Sequence, residues 1–446
     1  MAYFVPADRL EELKTEELVT DPQTGKTPRK HEKGKFLFRL AGRDRQKSAS
    51  YYTPQTLTKC LVKYALQELL ADKTADDILK LTVCEPAMGS AAFLNEAITQ
   101  LAEAYLQRKE EELNQRIPHE NITLEKQKVK MLLADRNVFG IDKNPIAMEL
   151  AEASLWLNCI YGEKDSRQIF VPWFGLQLHC GNSLVGARRQ IYPRQKVSQG
   201  KKNLSWWEMP PSPIPLGETF PADGIFHFLL GDPGMANYTD KVIKKLTPEA
   251  IKQINQWQKE FIKTPLNADQ ADYGIYLSTR IDELWHTYAK ELAKIRQRTT
   301  DSLTVWGQPE QEKREVPLAQ KDKIYEQEKL SRGVSNSSAY RRLKLVMDYW
   351  CSLWFWPLEE AENLPSREEF FSDIGMILGV TEMVSSQQLS LFPETQTPQQ
   401  AEDFIKKFGF VDLEKFKGFS LGCSWWKLWR KLISFSIGSW NLRIFS

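Results

Sequence analysis

Four short stretches of this chain hold residues whose types and spacing suit the binding of a small polar ligand. In LTVCEPAMGSAAF (81–93), Leu81 and Val83 form an apolar run that ends at Glu85 and Pro86. Ala87, Met88, Gly89, Ser90, Ala91 and Ala92 come next, mostly small enough for a ligand to lie against backbone, and Gly89 can take a positive φ. In VFGIDKNPIAMELAEASLWL (138–157), Val138, Phe139 and Ile141 read as a short buried strand with Asp142 at its C-terminal end and Lys143 next to it. An acid at the tip of the second strand of a doubly wound sheet accepts hydrogen bonds from ribose hydroxyls. In SASYYTP (48–54), Thr53 and Pro54 stand where a helix begins, and helix N-termini favour a carboxylate. In HCGNSL (179–184), Asn182 and Ser183 offer hydrogen bonds to a base edge, or simply close a turn.

The elements that must position these groups are read from periodicity. Phe93, Leu94, Ala97, Ile98, Leu101, Ala102 and Tyr105 give a helix after the small-residue turn. Leu57, Cys60, Leu61, Tyr64, Ala65, Leu66 and Leu69 make the apolar face expected of a helix after Pro54. Pro145 opens another, with Ile146, Met148, Leu150, Ala151, Leu155 and Trp156 apolar. Phe174 to Leu178 is a third strand-like piece. The expected fold is α/β, with ligands over the C-terminal ends of the strands. A dinucleotide enzyme would place its ribose acid about 20 residues after its glycines. Asp142 lies 53 positions after Gly89, which argues against that class.

Taken together, YYTP, EPAMGSAAF, GIDKNP and GNSL resemble the gamma-type adenine-N6 DNA methyltransferases, and most closely the class I DISARM adenine methylase. The resemblance implies a Rossmann-like S-adenosylmethionine-dependent methyltransferase core followed by a mainly helical insertion. It implies S-adenosylmethionine as cofactor. It places Tyr52, Thr53 and Pro54 near the methionine carboxylate and Glu85 near the ammonium. The turn Ala87–Gly89 passes under the cofactor with Pro86 and Ser90 at its ends among the cofactor-binding residues, Asp142 takes the ribose hydroxyls with Lys143 beside it, and Asn182 and Ser183 face the adenine. The implied partner is duplex DNA with a flipped adenine, together with proteins of the same defence system. A sulfonium cofactor carries no phosphate, so no phosphate cradle is needed.

Members of that family position adenine with [N/D/S]-P-P-[Y/F/W] after a further strand. Asn or Asp and the next carbonyl accept from the target amine, and the aromatic ring stacks on the flipped base. No such tetrapeptide stands on a strand here. FHFLLGDPGMANY (226–238) has a strand-like run before Asp232 and Pro233, but Gly234 and Met235 replace the second proline and the aromatic. The resemblance places this segment in the insertion, so no catalytic residue is assigned. The rival reading is a methyltransferase for RNA or a small molecule that uses Asp232. Another rival is a cofactor-binding subunit completed by a partner chain.

Net charge is +2 over 446 residues, which points to no polyanion by bulk charge. The six cysteines have no metal-ligand spacing and read as cytoplasmic thiols; no metal site is expected. No signal peptide and no membrane span are read, so no membrane partner is expected. The organisation expected is a polar leader over 1–47, the cofactor-binding core over 48–190 and the helical insertion over 191–384. A linker over 385–400, a return to the core over 401–418 and a tail over 419–446 complete it. Tyr340 to Trp356 is aromatic core, and QLSLF (388–392) resembles a sliding-clamp peptide.

The tail has no Asp or Glu after Glu414 and holds four tryptophans. It reads either as a cationic amphipathic tail for a membrane surface or as the product of a frameshift, and the frameshift is the reading taken. Tryptophan has one codon, so a shifted frame is partly forced: Trp425–Trp426 gives Val, and Trp426–Lys427 and Trp440–Asn441 give Glu. With permitted choices elsewhere, Ser434 onward reads FFHWELEFAD, which resembles the approach to NPPW in the family. The expected result is a truncated chain, lacking that motif.

Overall fold

The computed structural model describes residues 18, 20, 25, 53–162, 170–198, 205–215, 218–309, 314–334 and 338–380. The chain divides into two units, Met1–Pro54 and Gln55–Ser446, and every described helix and strand belongs to the second. Tyr52, the QLSLF peptide and the whole tail lie outside the described residues.

The chain builds α1 (Gln55–Leu69), α2 (Ala75–Ile78), β1 (Val83–Glu85), α3 (Ala92–Leu113), α4 (Ile122–Arg136), β2 (Val138–Asp142), α5 (Pro145–Cys159) and β3 (Leu178–Cys180). The strands form a parallel sheet in the order β1-β2-β3, with Glu85 opposite Gly140 and Asp142 opposite Cys180. Parallel neighbours need crossovers, and α3–α4 and α5 supply them. The apolar stripe of α3 (Leu94, Ala97, Ile98, Leu101, Ala102, Tyr105) is buried, as its period predicts. α4 is buried all round from Val129 to Ala134, because it is wedged between α3 and α5. Asn144 caps α5 by accepting the Ile146 N–H at 3.1 Å, with Pro145 at the first helical position. Asn137 donates to the carbonyls of Leu79 and Leu81, at 2.8 and 2.6 Å, and so ties the start of β2 to the approach to β1.

Four sequence expectations are corrected. On α1 the buried residues are Thr58, Val62 and Leu66, while Leu57, Leu61, Tyr64 and Leu69 are exposed. On α5 the buried stripe is Ala147, Ala151, Leu155 and Cys159, and Ile146 and Leu150 face outward. In both helices a stripe spaced by four, with small or β-branched members, sits against the neighbouring helix. The third strand starts at Leu178; Phe174–Gln177 is a turn, closed by the Gln177 N–H donating to the Phe174 carbonyl at 2.9 Å. The run before Asp232 is a strand only over Gly224–Phe226, and His227–Leu229 is a 3-10 turn.

Beyond β3 the chain forms β4 (Gln190–Pro193), α6 (Arg194–Ser198), β5 (Ser212–Pro213) and β6 (Gly224–Phe226), a small antiparallel sheet in the order β5-β4-β6. Helices come next: α7 (Lys241–Leu246), α8 (Pro248–Trp257) continuing as a π-turn over Gln258–Lys263, α9 (Ala268–Thr299), α10 (Leu318–Val334), α11 (Ala339–Ser352) and α12 (Arg367–Leu378). Most of these elements, though not α7 or α10, contribute to a second hydrophobic core, which includes Phe226, Phe228, Trp257, Trp285, Tyr349, Trp350 and Phe370. The aromatic run of α11 packs there, as the sequence suggests. Trp257 and Trp350 donate their indole N–H groups to the carbonyls of Pro365 and Leu230, both at 2.7 Å.

The two cores are joined after α9. Leu303 and Val305 enter the first core, and the Tyr105 hydroxyl donates to the Trp306 carbonyl at 2.8 Å. Beside them, buried Lys321 of α10 pairs with buried Asp301, and Trp173 donates its indole N–H to Asp322 at 2.9 Å. Arg296 of α9 lies over the Phe139 ring, 5.5 Å from its centroid, and so covers part of the sheet face turned away from α3.

Candidate functional site

The three loops that leave β1, β2 and β3 at their C-terminal ends meet at the top of the parallel sheet. Register places Glu85, Asp142 and the residues after Cys180 side by side there. The turn after β1 is drawn over β2 by two bonds: the Met88 N–H donates to the Ile141 carbonyl at 3.0 Å, and the Gly89 N–H donates to Asp142 Oδ2 at 2.9 Å. Gly89 has φ +54°, and a Cβ there would meet open space, so its role is conformational freedom rather than clearance. Ala91 also sits in the left-handed region, at φ 64°, just before α3 begins. Met88 is buried under the turn, whereas Pro86 and Ala87 are exposed above it and Ser90 is half-buried.

Asp142 also accepts the Asn144 N–H on Oδ1, at 2.8 Å. A carboxylate has about four acceptor positions. The two backbone bonds leave two, so Asp142 both orders the loops and can take a pair of hydroxyls. The loop after β3 is tied to β2 by the Gly181 N–H, which donates to the Asp142 carbonyl at 2.8 Å. Asn182 Oδ1 accepts the Leu184 N–H at 3.0 Å, an Asx turn that leaves its amide N–H₂ as donor. Ser183 and Lys143 are exposed at the rim, and Leu184 is 94 % exposed.

Glu85 is the distinctive group. Its Oε2 is enclosed and has no hydrogen-bond partner among the described residues. Burial pushes the carboxyl up to about 8; the Leu94 N–H pulls the other way, and the Asp142 charge adds to the rise. A carboxyl in that state is short of a cation. Its burial depends on the packing of α3 against β1, and no motif in the sequence announces that. Gly140 was also not legible as a site residue. A Cβ there would lie 2.2 Å from Met88 Sδ and 3.1 Å from Leu178, so the bare backbone of β2 is what lets Met88 sit beneath the turn. Gly140→Ala is expected to cost about 1–3 kcal/mol by overpacking, read as a lower Tm in thermal unfolding. An unchanged Tm would show that Met88 can swing aside.

Thr53 and Pro54 belong to the other unit of the chain and immediately precede α1. Asp232 lies elsewhere. Its Oδ1 accepts the Gly234 N–H at 2.8 Å, and the Ala236 N–H donates to the Leu353 carbonyl at 2.8 Å, which fixes this turn in the second core. Among the described residues no cluster of His, Cys, Asp or Glu could hold a metal ion.

Residues 35–169 match the N-6 DNA Methylase family. That family takes its methyl group from S-adenosylmethionine, and the matched segment holds β1, β2 and helices α1 to α5. A curated protein of Methanocaldococcus jannaschii, named "Putative type II restriction enzyme and methyltransferase", is 25 % identical over 196 aligned positions. The alignment covers 34 % of this chain and 16 % of that protein, so the chain spans a small part of its relative's length. No solved structure matches the chain significantly. Over this segment the chain is thus similar to the S-adenosylmethionine-dependent N6 DNA methyltransferases. Among the described residues no helix is long and apolar enough to cross a membrane.

Proposed function

We propose that this chain binds S-adenosylmethionine across the C-terminal ends of β1, β2 and β3, as the cofactor-binding part of an adenine-N6 DNA methyltransferase of a restriction or phage-defence system. Its motifs resemble those of the class I DISARM adenine methylase. The observation that carries the reading is the enclosed Glu85 oxygen, short of a partner, beside an Asp142 with two acceptor positions left. One ligand with a cationic amine and a ribose meets both. When bound, S-adenosylmethionine supplies an electrophilic methyl group. Glu85 then holds the ammonium, Asp142 the ribose hydroxyls, and Asn182, Ser183 and Lys143 the adenine side. Ala87 to Ser90 form the floor. The core runs over 48–190 and the helical insertion over 191–384.

Adenine is positioned by residues that this chain does not supply. Asp232 is exposed in the turn before Met235, where its Oδ1 accepts the Gly234 N–H, and it is not part of the loops that leave β1, β2 and β3. The experiment is calorimetric titration of the purified chain with S-adenosylmethionine, followed by methyl incorporation into duplex DNA with and without a polypeptide carrying NPPW. Binding without transfer, and transfer on mixing, are the expected results. No binding at millimolar cofactor would defeat the assignment. Transfer to tRNA or a metabolite by the chain alone, lost in Asp232→Ala, would establish the rival.

A further inference from the structure

The second core carries a basic surface that bulk charge conceals. Between Lys241 and Lys263 there are six lysines against two glutamates, a surplus of four, where the whole chain has a surplus of two. Everything outside this segment is therefore slightly acidic in sum. All six (Lys241, Lys244, Lys245, Lys252, Lys259 and Lys263) are exposed, and none makes an ion pair with a described residue. Glu260 instead accepts from Gln256, and Glu249 makes no bond to a described lysine. The 3-10 turn Leu358–Asn363, with Glu359, Glu360 and Glu362, packs against α8 without pairing with them.

The arrangement is set by the helix. Ile254, Trp257 and Phe261 turn inward, with Trp257 and Phe261 stacked 4.7 Å apart. Lys252, Lys259 and Lys263 stand at i, i+7 and i+11 on the opposite side, with Gln256 among them. Over that distance the helix rises about 15 Å, which spans several phosphates of one DNA strand. A helix that lies on a membrane turns its apolar face outward; this one has its apolar face locked in the core. Amide side chains beside lysines are the usual makeup of phosphate and sugar contacts.

We propose that the lysine stripe of α8 and its π-turn, with the lysines of α7 beside it, is a sequence-independent docking surface for the phosphodiester backbone of duplex DNA. This rests on the methyltransferase reading, and it names where the substrate duplex is held. The test is fluorescence anisotropy of the full chain on a labelled 30-base-pair duplex of random sequence, across a salt series. K252Q/K259Q/K263Q is expected to weaken binding at least tenfold at 0.1 M salt. It should also lower the log–log salt slope by about 1 per lysine, roughly 3 in all. The charge-keeping K252R/K259R/K263R should restore both. S-adenosylmethionine titration of the same preparations separates the two ideas. A parent chain that fails to bind cofactor defeats the methyltransferase reading, whereas the salt slope decides the surface. An unchanged slope in the glutamine variant, with cofactor binding intact, overturns the proposal. So does loss of binding to phosphatidylserine vesicles while duplex affinity stays the same.

Discussion

Asp142→Ala is expected to weaken S-adenosylmethionine binding by about a hundredfold or more, the largest single effect at the site. Two losses combine. The ribose hydroxyls lose a charged acceptor, and charge-assisted hydrogen bonds are about twice as strong as neutral ones. The Gly89 N–H and the Asn144 N–H lose the oxygens that hold the turns after β1 and β2 in place. Floor and acceptor therefore go together. Asp142→Asn separates them: its amide keeps an oxygen for one N–H and brings a donor to where the other points, so it should fall between wild type and alanine. Calorimetric titration reads both variants. Unchanged affinity in Asp142→Ala would remove this residue from the site.

The second large effect is on pH. Glu85, pushed up to about 8 by burial, holds its proton at neutral pH in the free protein. A cationic amine is best met by the ionised form, so binding expels that proton. Below about 8, cofactor affinity is expected to rise roughly tenfold per pH unit, the slope of one proton released. The ligand's own α-amino group titrates near 7.7–8.0. Above that range it loses its charge, and affinity falls again. The profile is thus a bell centred near pH 8. Glu85→Gln should remove the acid limb and leave the alkaline one. Folding carries the opposite sign. With the folded value near 8 and the ordinary value 4.5, the contribution of Glu85 to stability is full below about 4.5. It is lost as pH rises through 8, and the glutamine variant should show no such decline. A flat binding profile in the wild type would mean that Glu85 does not face the amine.

Some of this was legible in the sequence, for physical reasons. Short apolar runs that end at Glu85 and Asp142 can be little other than strand tips, and Asn144–Pro145 is a helix start by chemistry alone. The faces of α1 and α5 were misread because each helix has two apolar stripes one position apart. Periodicity cannot choose between Leu57–Leu61–Tyr64 and Thr58–Val62–Leu66; the close approach of α3 does. His227 to Leu230 looks like more strand because its members are apolar or aromatic, yet it turns off β6 as a 3-10 turn, with Phe228 against the Phe226 ring and His227 against the Trp350 ring. The state of Glu85 lay beyond any motif, because it depends on the groups that enclose the side chain.

The chain that leaves α9 has a mechanical consequence. α9 is built into the second core through Leu277, Ile281 and Trp285, and a few residues later Leu303 and Val305 are packed in the first. The Lys321–Asp301 pair seals that crossing away from water. Neither core can then melt and leave the other whole. Heating should give a single heat-absorption peak, and a protease should find no cut that frees a stable cofactor-binding fragment. The loops over the sheet and the lysine stripe are borne on one continuous body. A duplex held at one is held at a fixed bearing to the other, and in that sense the second core works as a jig.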